Sequence, residues 1–227
     1  MQDRAFFEGE GSAWFQRNRD YLIHHWSPSR DWPLRLLDLY HLDPLVVVEV
    51  GCAGGHRLAA LADPSASGRG YGRTCIGVDA SAEAIADGRE RYPYLELHHG
   101  LATSLPLRDD LADLCIASYL LHWIGRESLL LAAAEIDRVL KVGGHLLVAD
   151  FAPGYPTQVA YKHKPGLWTW KLPDSYAGLW TSTGRYREIA RVTYDHDNRE
   201  DRTDAPSQQR GACVLLRKES QYVCASP

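Results

Sequence analysis

The chain has 227 residues, of which 45% are hydrophobic and 24% charged, with a formal net charge of −4. That length suits one well-buried domain, expected to span 1–227, and the composition excludes a disordered or fibrous chain. The mild acidity argues against a broad phosphate-backbone interface, though a small phosphorylated or nucleotide-linked ligand needs only one cationic pocket.

The start, MQDRAFFEGEG, has no signal-type apolar core, and no run approaches membrane-spanning length. The expectation is a cytoplasmic protein, monomer or homodimer, with no membrane partner and no nucleic acid favoured. Cys52, Cys75, Cys115, Cys213 and Cys224 show no CxxC pair or zinc-ligand spacing and read as reduced thiols. His24 and His25 have no neighbouring carboxylate or thiol to complete a ligand set, so no metal is expected.

Residues 1–40 read as an N-terminal helical cap. Leu45–Val50 is a short apolar, β-branched run that suits a central strand covered on both faces. It runs into Gly51-Cys52-Ala53-Gly54-Gly55 and a helix over His56–Ala62, the opening of a βαβ unit. Pro64–Gly72 reads as a loop and Thr74–Asp79 as the second strand. Ser81 is placed to cap the next helix. Leu95–His98 and Asp113–Ala117 give two further strands, and Glu127–Leu140 a helix that Gly143-Gly144 should end before a fifth strand, His145–Asp150. Phe151–Thr183 reads as irregular, with an aromatic-rich insertion over 152–184. Tyr186–Tyr194 and Gly211–Arg217, joined by a polar linker, read as an antiparallel edge pair. The alternation implies an α/β, doubly wound, mostly parallel sheet.

A glycine-rich turn after the first strand lets the backbone approach a ligand, and an acid ending the second strand, Asp79, can accept from both ribose hydroxyls. The segments VVEVGCAGG, GVDAS, GLATSLPLRDDLADLCIASYLLHW and EIDRVLKVGGHLLVADF occur in this order from Leu45 to Phe151. Together they resemble the successive motifs of the class I S-adenosylmethionine-dependent methyltransferase superfamily, which has a Rossmann-like fold with a seven-stranded sheet.

The resemblance implies that Glu49, Gly51, Cys52, Ala53 and Gly55 form the loop under the methionine part of S-adenosylmethionine. Asp79 would hold the ribose and Ala80 pack beside the adenine. Leu101 and Ala102 would flank the base, and Ser118 and Tyr119 line the cofactor. Two positions depart from the pattern: Ala53 replaces the usual middle glycine, and Leu101 replaces an aspartate that often accepts from the adenine amino group. Glu8–Asn18 resembles an N-terminal segment of one bacterial branch, where Trp14 would cover the cofactor and Arg17 approach its carboxylate. Phe15 reads equally as core.

Methyl transfer from a sulfonium is an in-line displacement, so alignment comes first and an oxygen or nitrogen acceptor also needs a base. His122 is the first candidate base and His163 the second. Tyr161, Lys164, Trp168, Trp170, Lys171 and Tyr176 combine rings with cations, as a flat or sugar-like anionic substrate would require, or as packing over the sheet would. Arg185, Arg187 and Arg191 read as solvated. The implied function is methylation of a small molecule, a sugar, nucleotide or specialised metabolite, with S-adenosylhomocysteine as product. Alternatives are a protein or RNA methyltransferase and a cofactor-binding protein that does not methylate. A nicotinamide dehydrogenase is disfavoured because the turn lacks G-x-G-x-x-G.

Overall fold

The computed structural model describes residues 2–63, 73–197 and 206–219. The expected loop Pro64–Gly72, residues 198–205 of the linker and Cys224 lie outside the described residues.

Strands β1 (Val46–Val50), β2 (Thr74–Asp79), β3 (Glu96–His99), β4 (Ala112–Ser118) and β5 (Leu140–Phe151) are parallel. A hairpin, β6 (Thr157–Ala160) and β7 (Trp168–Lys171), forms a separate two-stranded sheet. The last two strands, β8 (Tyr186–Asp195) and β9 (Arg210–Lys218), are antiparallel to each other, and β9 is antiparallel to β5. The large sheet runs β3-β2-β1-β4-β5-β9-β8, so the expected seven-stranded α/β sheet with its antiparallel edge pair is what the chain forms.

The strand period of two divides the core between the faces. Val48, Val50, Ile76, Val78, Cys115, Leu146 and Val214 bury themselves with Ile136 and Val139 of α6 (Leu129–Val139) and Trp180 of α7 (Gly178–Thr181). Val47, Cys75, Ile116, Leu147, Cys213 and Leu215 face the other way. They pack with Leu36 and Leu37 of α3 (Trp32–Leu39), Leu58 of α4 (His56–Ala62) and Ile85 of α5 (Ala82–Arg91). Burying one such leucine or isoleucine contributes about 1.5–3 kcal/mol, so coverage on both faces selects the apolar strands.

The remaining N-terminal residues are α1 (Gln2–Ala5), a π-helical turn at Phe6–Glu10, α2 (Gly11–Asp20), a second π-helical turn at Tyr21–His25 and a 3-10 turn at Pro28–Arg30. Gly11 is pressed so closely on Ala80 and Ser81 that an added Cβ would lie 3.3 Å from their backbone. The helix α2 therefore docks beside the end of β2.

Two boundaries differ from expectation. The glycine pair does not end α6; the helix stops at Val139 because Leu140 turns extended and buries itself as the first residue of β5. Gly143, at φ 82°, lies in the excursion where pairing passes from Ala112–Leu140 to Leu114–His145. The stretch after Phe151 is not irregular throughout, since it contains the β6–β7 hairpin; the surrounding prolines concealed the alternation in Trp168-Thr169-Trp170, where Thr169 is the buried residue. Arg185, Arg187 and Arg191 pair with Asp137, Glu219 and Glu188. Among the described residues no helix is long and apolar enough to cross a membrane.

Candidate active site

A cavity of about 810 Å³ opens at the carboxyl ends of β1, β2, β4 and β5, beneath the N-terminal helices. This is where an open α/β sheet offers strand ends, helix N-termini and uncovered backbone together.

Its floor is the turn after β1. Gly51 and Gly55 take φ values of 78° and 80°, conformations that a side chain would strain. Ala53 adopts φ 48° without being glycine, so the methyl group noted in the sequence is accommodated at a cost of about 1 kcal/mol. Gly51 and Ala53 border the cavity, while buried Cys52 and Gly55 shape the turn from below. Asp79 fixes the turn from the side. Its carboxylate accepts from the Ala53 and Ser81 backbone N–H groups, each at 2.8 Å. Desolvation pushes its pKa upward against those two donors. Ala80, Leu101, Ala102, Ser118 and Tyr119 line the same space, as does Trp14 from α2.

Behind the turn lies a buried ionic cluster. Arg57 donates to Asp31 at 2.9 Å, to Ser118 Oγ at 3.1 Å and to Glu49. Glu49 Oε2 has no hydrogen-bond partner among the described residues, yet Glu49 borders the cavity. Burial first, and the nearby Asp31 charge among the lesser causes, hold Glu49 at about 7 despite Arg57. His56 also lines the cavity; burial and Arg57 push it down to about 3, so it is neutral.

Of the candidate bases, His122 is buried on the cavity wall with Nδ1 2.8 Å from Asp150 Oδ1. His163 is exposed on the hairpin, its ring 5.3 Å from Tyr161, away from the cavity wall. The structure does not bring the other insertion residues onto that wall. Tyr161 bonds Glu10 and Arg17 and packs on Trp123; Lys164 sits in the hairpin turn; the Trp168 backbone pairs with Gln2. Trp170 and Tyr176 pack around Arg126, and Lys171 lies over the Phe151 ring at 3.6 Å. Arg17 is 2.6 Å from Glu10 and likewise stands behind the wall. Phe15 is core against Ala53 and Ala84.

Sequence reasoning missed Asp31, Arg57, Asp150, Trp26, Trp32, Tyr194 and His196. Arg57 had a signal, a permanent charge within the otherwise apolar helix HRLAALA, and Asp31 precedes Trp-Pro as a helix N-cap would. Tyr194 and His196 carried none, because only the fold lets side chains at the end of β8 reach past β9 to Tyr119 and Phe151. No group of three or more metal-ligating side chains occurs among the described residues.

Sheet order, glycine turn and terminal acid define a nucleotide-binding α/β protein. Residues 48–148 match the family described as "Methyltransferase domain". The chain is 32% identical over 110 residues to a malonyl-[acyl-carrier protein] O-methyltransferase of Pectobacterium atrosepticum, covering 48% of this chain and 40% of that one. It is 28% identical to a trans-aconitate 2-methyltransferase of Azoarcus sp., covering 67% and 62%. The chain thus spans less than two thirds of these relatives. A crystal structure of Burkholderia thailandensis 1,6-didemethyltoxoflavin-N1-methyltransferase, with bound 1,6-didemethyltoxoflavin and S-adenosylhomocysteine, superposes with a TM-score of 0.71 at 13% identity, covering 96% and 89%. Residues 48–148 thus match a methyltransferase domain, and the chain around them shares its fold with a solved methyltransferase.

Proposed function

We propose that this chain transfers a methyl group from S-adenosylmethionine to a small-molecule acceptor, releasing S-adenosylhomocysteine. The observation that carries the reading is Asp79, half-buried at the end of β2 and bordering the cavity beside the Gly51–Gly55 turn. Each oxygen of its carboxylate accepts one backbone N–H and keeps a lone pair for a ribose hydroxyl.

The residues fit the group. The unpartnered Glu49 Oε2 can accept from the methionine ammonium, above backbone that Gly51 and Ala53 leave uncovered. Ala80, Leu101 and Ala102 offer an apolar slot for adenine, with base recognition left to backbone in place of the missing aspartate. Ser118, Tyr119 and Trp14 enclose the remainder. Bound there, the sulfonium supplies an electrophilic methyl carbon. The chain's own part is to hold the acceptor in line with it and exclude water, the role this reading gives the N-terminal helices over the cavity.

Titration calorimetry with S-adenosylhomocysteine tests the binding half, and release of S-adenosylhomocysteine in the presence of an acceptor library tests the transfer half. Uptake without turnover on any acceptor would favour a protein that binds the cofactor and does not methylate.

A further inference from the structure

The acceptor end of the cavity has a distinctive wall. Five rings from three strand ends converge there. Tyr119 lies edge-on to Phe151 at 5.4 Å and to His196 at 5.0 Å, and Phe151 is 4.7 Å from His196. His122 meets Phe151 edge-on at 5.0 Å, and the Tyr119 and Tyr194 hydroxyls are 2.8 Å apart. Edge-to-face rings of this kind form a slot for another planar ring.

The charges that border the cavity are mostly negative. Asp31, Glu49, Asp79 and Asp197 border the cavity, against Arg57 and Arg30. Arg57 is committed to Asp31 and Glu49, and Arg30 stands at the exposed rim. Lys171 lies over Phe151, outside the wall, with the Asp150 and Asp197 charges opposing it. A carboxylate or phosphate placed in this cavity would meet more acids than cations on its wall.

Two imidazoles border the slot, His196 with Nδ1 2.9 Å from Asp197 Oδ1 and the buried His122. Asp150 accepts the His122 backbone N–H at 3.3 Å and the Phe151 N–H at 2.8 Å, and lies 2.8 Å from His122 Nδ1. A carboxylate only accepts, so the neutral imidazole carries its hydrogen on Nδ1 and its lone pair on Nε2. The titratable groups facing His122 are Asp150 and Tyr119 and, across Phe151, His196 and Lys171.

Resting on the proposed methyl transfer, we propose that the acceptor is a planar aromatic molecule lacking carboxylate and phosphate, whose O–H or N–H proton passes to His122 Nε2. The lone pair left on oxygen or nitrogen forms the new bond to the methyl carbon, the C–S pair stays on sulfur, and a neutral thioether departs. Asp150 fixes the tautomer and stabilises the imidazolium.

The test uses the full chain saturated with S-adenosylhomocysteine. Calorimetry compares 7-hydroxycoumarin and 3-hydroxyquinoline with 7-hydroxycoumarin-3-carboxylate, 3-hydroxyquinoline-2-carboxylate and trans-aconitate. At least one neutral ring should bind about tenfold or more tighter than its carboxylate partner and than trans-aconitate. Equal or tighter binding of the carboxylates overturns the proposal, as does failure of both neutral rings to bind while S-adenosylhomocysteine binds. Failure of S-adenosylhomocysteine itself would sink the methyltransferase reading instead. The phenolate absorbance band of the tighter bound ring should appear about one pH unit lower in the wild type than in His122→Asn. Coincident titrations with ring binding retained would remove the proton-accepting role.

Discussion

Asp31, at the N-cap of α3, and Arg57, in the first turn of α4, are joined by hydrogen bonds of 2.9 to 3.1 Å closed off from solvent. The contact ties the N-terminal segment to the turn that forms the cavity floor, since Arg57 also grips Glu49 and Ser118. Arg57→Met would leave two buried carboxylates facing each other. It should cost about 3–5 kcal/mol, read as a lower urea midpoint at neutral pH. Asp31→Asn removes a charge whose partner keeps Glu49, so its loss should be the smaller of the two.

Glu49 gives the cluster a pH signature. Its folded value of about 7 lies above the ordinary 4.5, so the folded chain holds this proton more tightly than the unfolded one. The contribution to stability is fully present below 4.5 and is lost as pH rises through about 7. Asp31 acts oppositely at lower pH, because the cation of Arg57 overcomes burial and holds it below the usual range. The comparison must therefore isolate Glu49. The stability difference between wild type and Glu49→Gln, followed by urea unfolding from pH 5 to 8, should shift against the wild type as pH rises. A constant difference would remove the shift from Glu49.

Ser81 caps α5 by accepting the Ala84 N–H at 3.0 Å, and its hydroxyl lies 3.2 Å from Ser12 Oγ of α2. Ser81→Ala should cost about 1 kcal/mol, as for other N-caps, measured as a fall in Tm. The same substitution should loosen the docking of α2, read as faster amide exchange over Gly11–Asp20.

The parts of this molecule governed by local rules were legible in the sequence. Val46–Val50 is apolar but for Glu49 because both faces are covered, and Ser81 announces its helix by its own chemistry. Asp79 was legible because a strand end following a glycine turn is a topological position as well as a residue type. What escaped depends on distant pairing. The end of α6 was set by Leu140 finding a place opposite Ala112, which overrides the glycine pair downstream. The acceptor end escaped for the same reason: β9 inserts between β5 and β8, and Tyr194 reaches Tyr119 from 75 residues away. The cations of the insertion suggested an anionic ligand, and folding placed Lys171 behind Phe151 and Tyr161 against Arg17 and Glu10.

The most direct test is calorimetry of S-adenosylhomocysteine binding to the wild type and to Asp79→Asn. The replacement keeps shape and removes the charge that would accept from the ribose, a hydrogen bond worth about 1.5–3 kcal/mol. The wild type should bind, with affinity reduced roughly 10- to 150-fold in the variant. The variant's Tm should also fall, because the new NH2 group faces one of the two backbone N–H groups that donate to Asp79. A wild type that takes up no ligand, or a variant that binds equally well, would contradict the account.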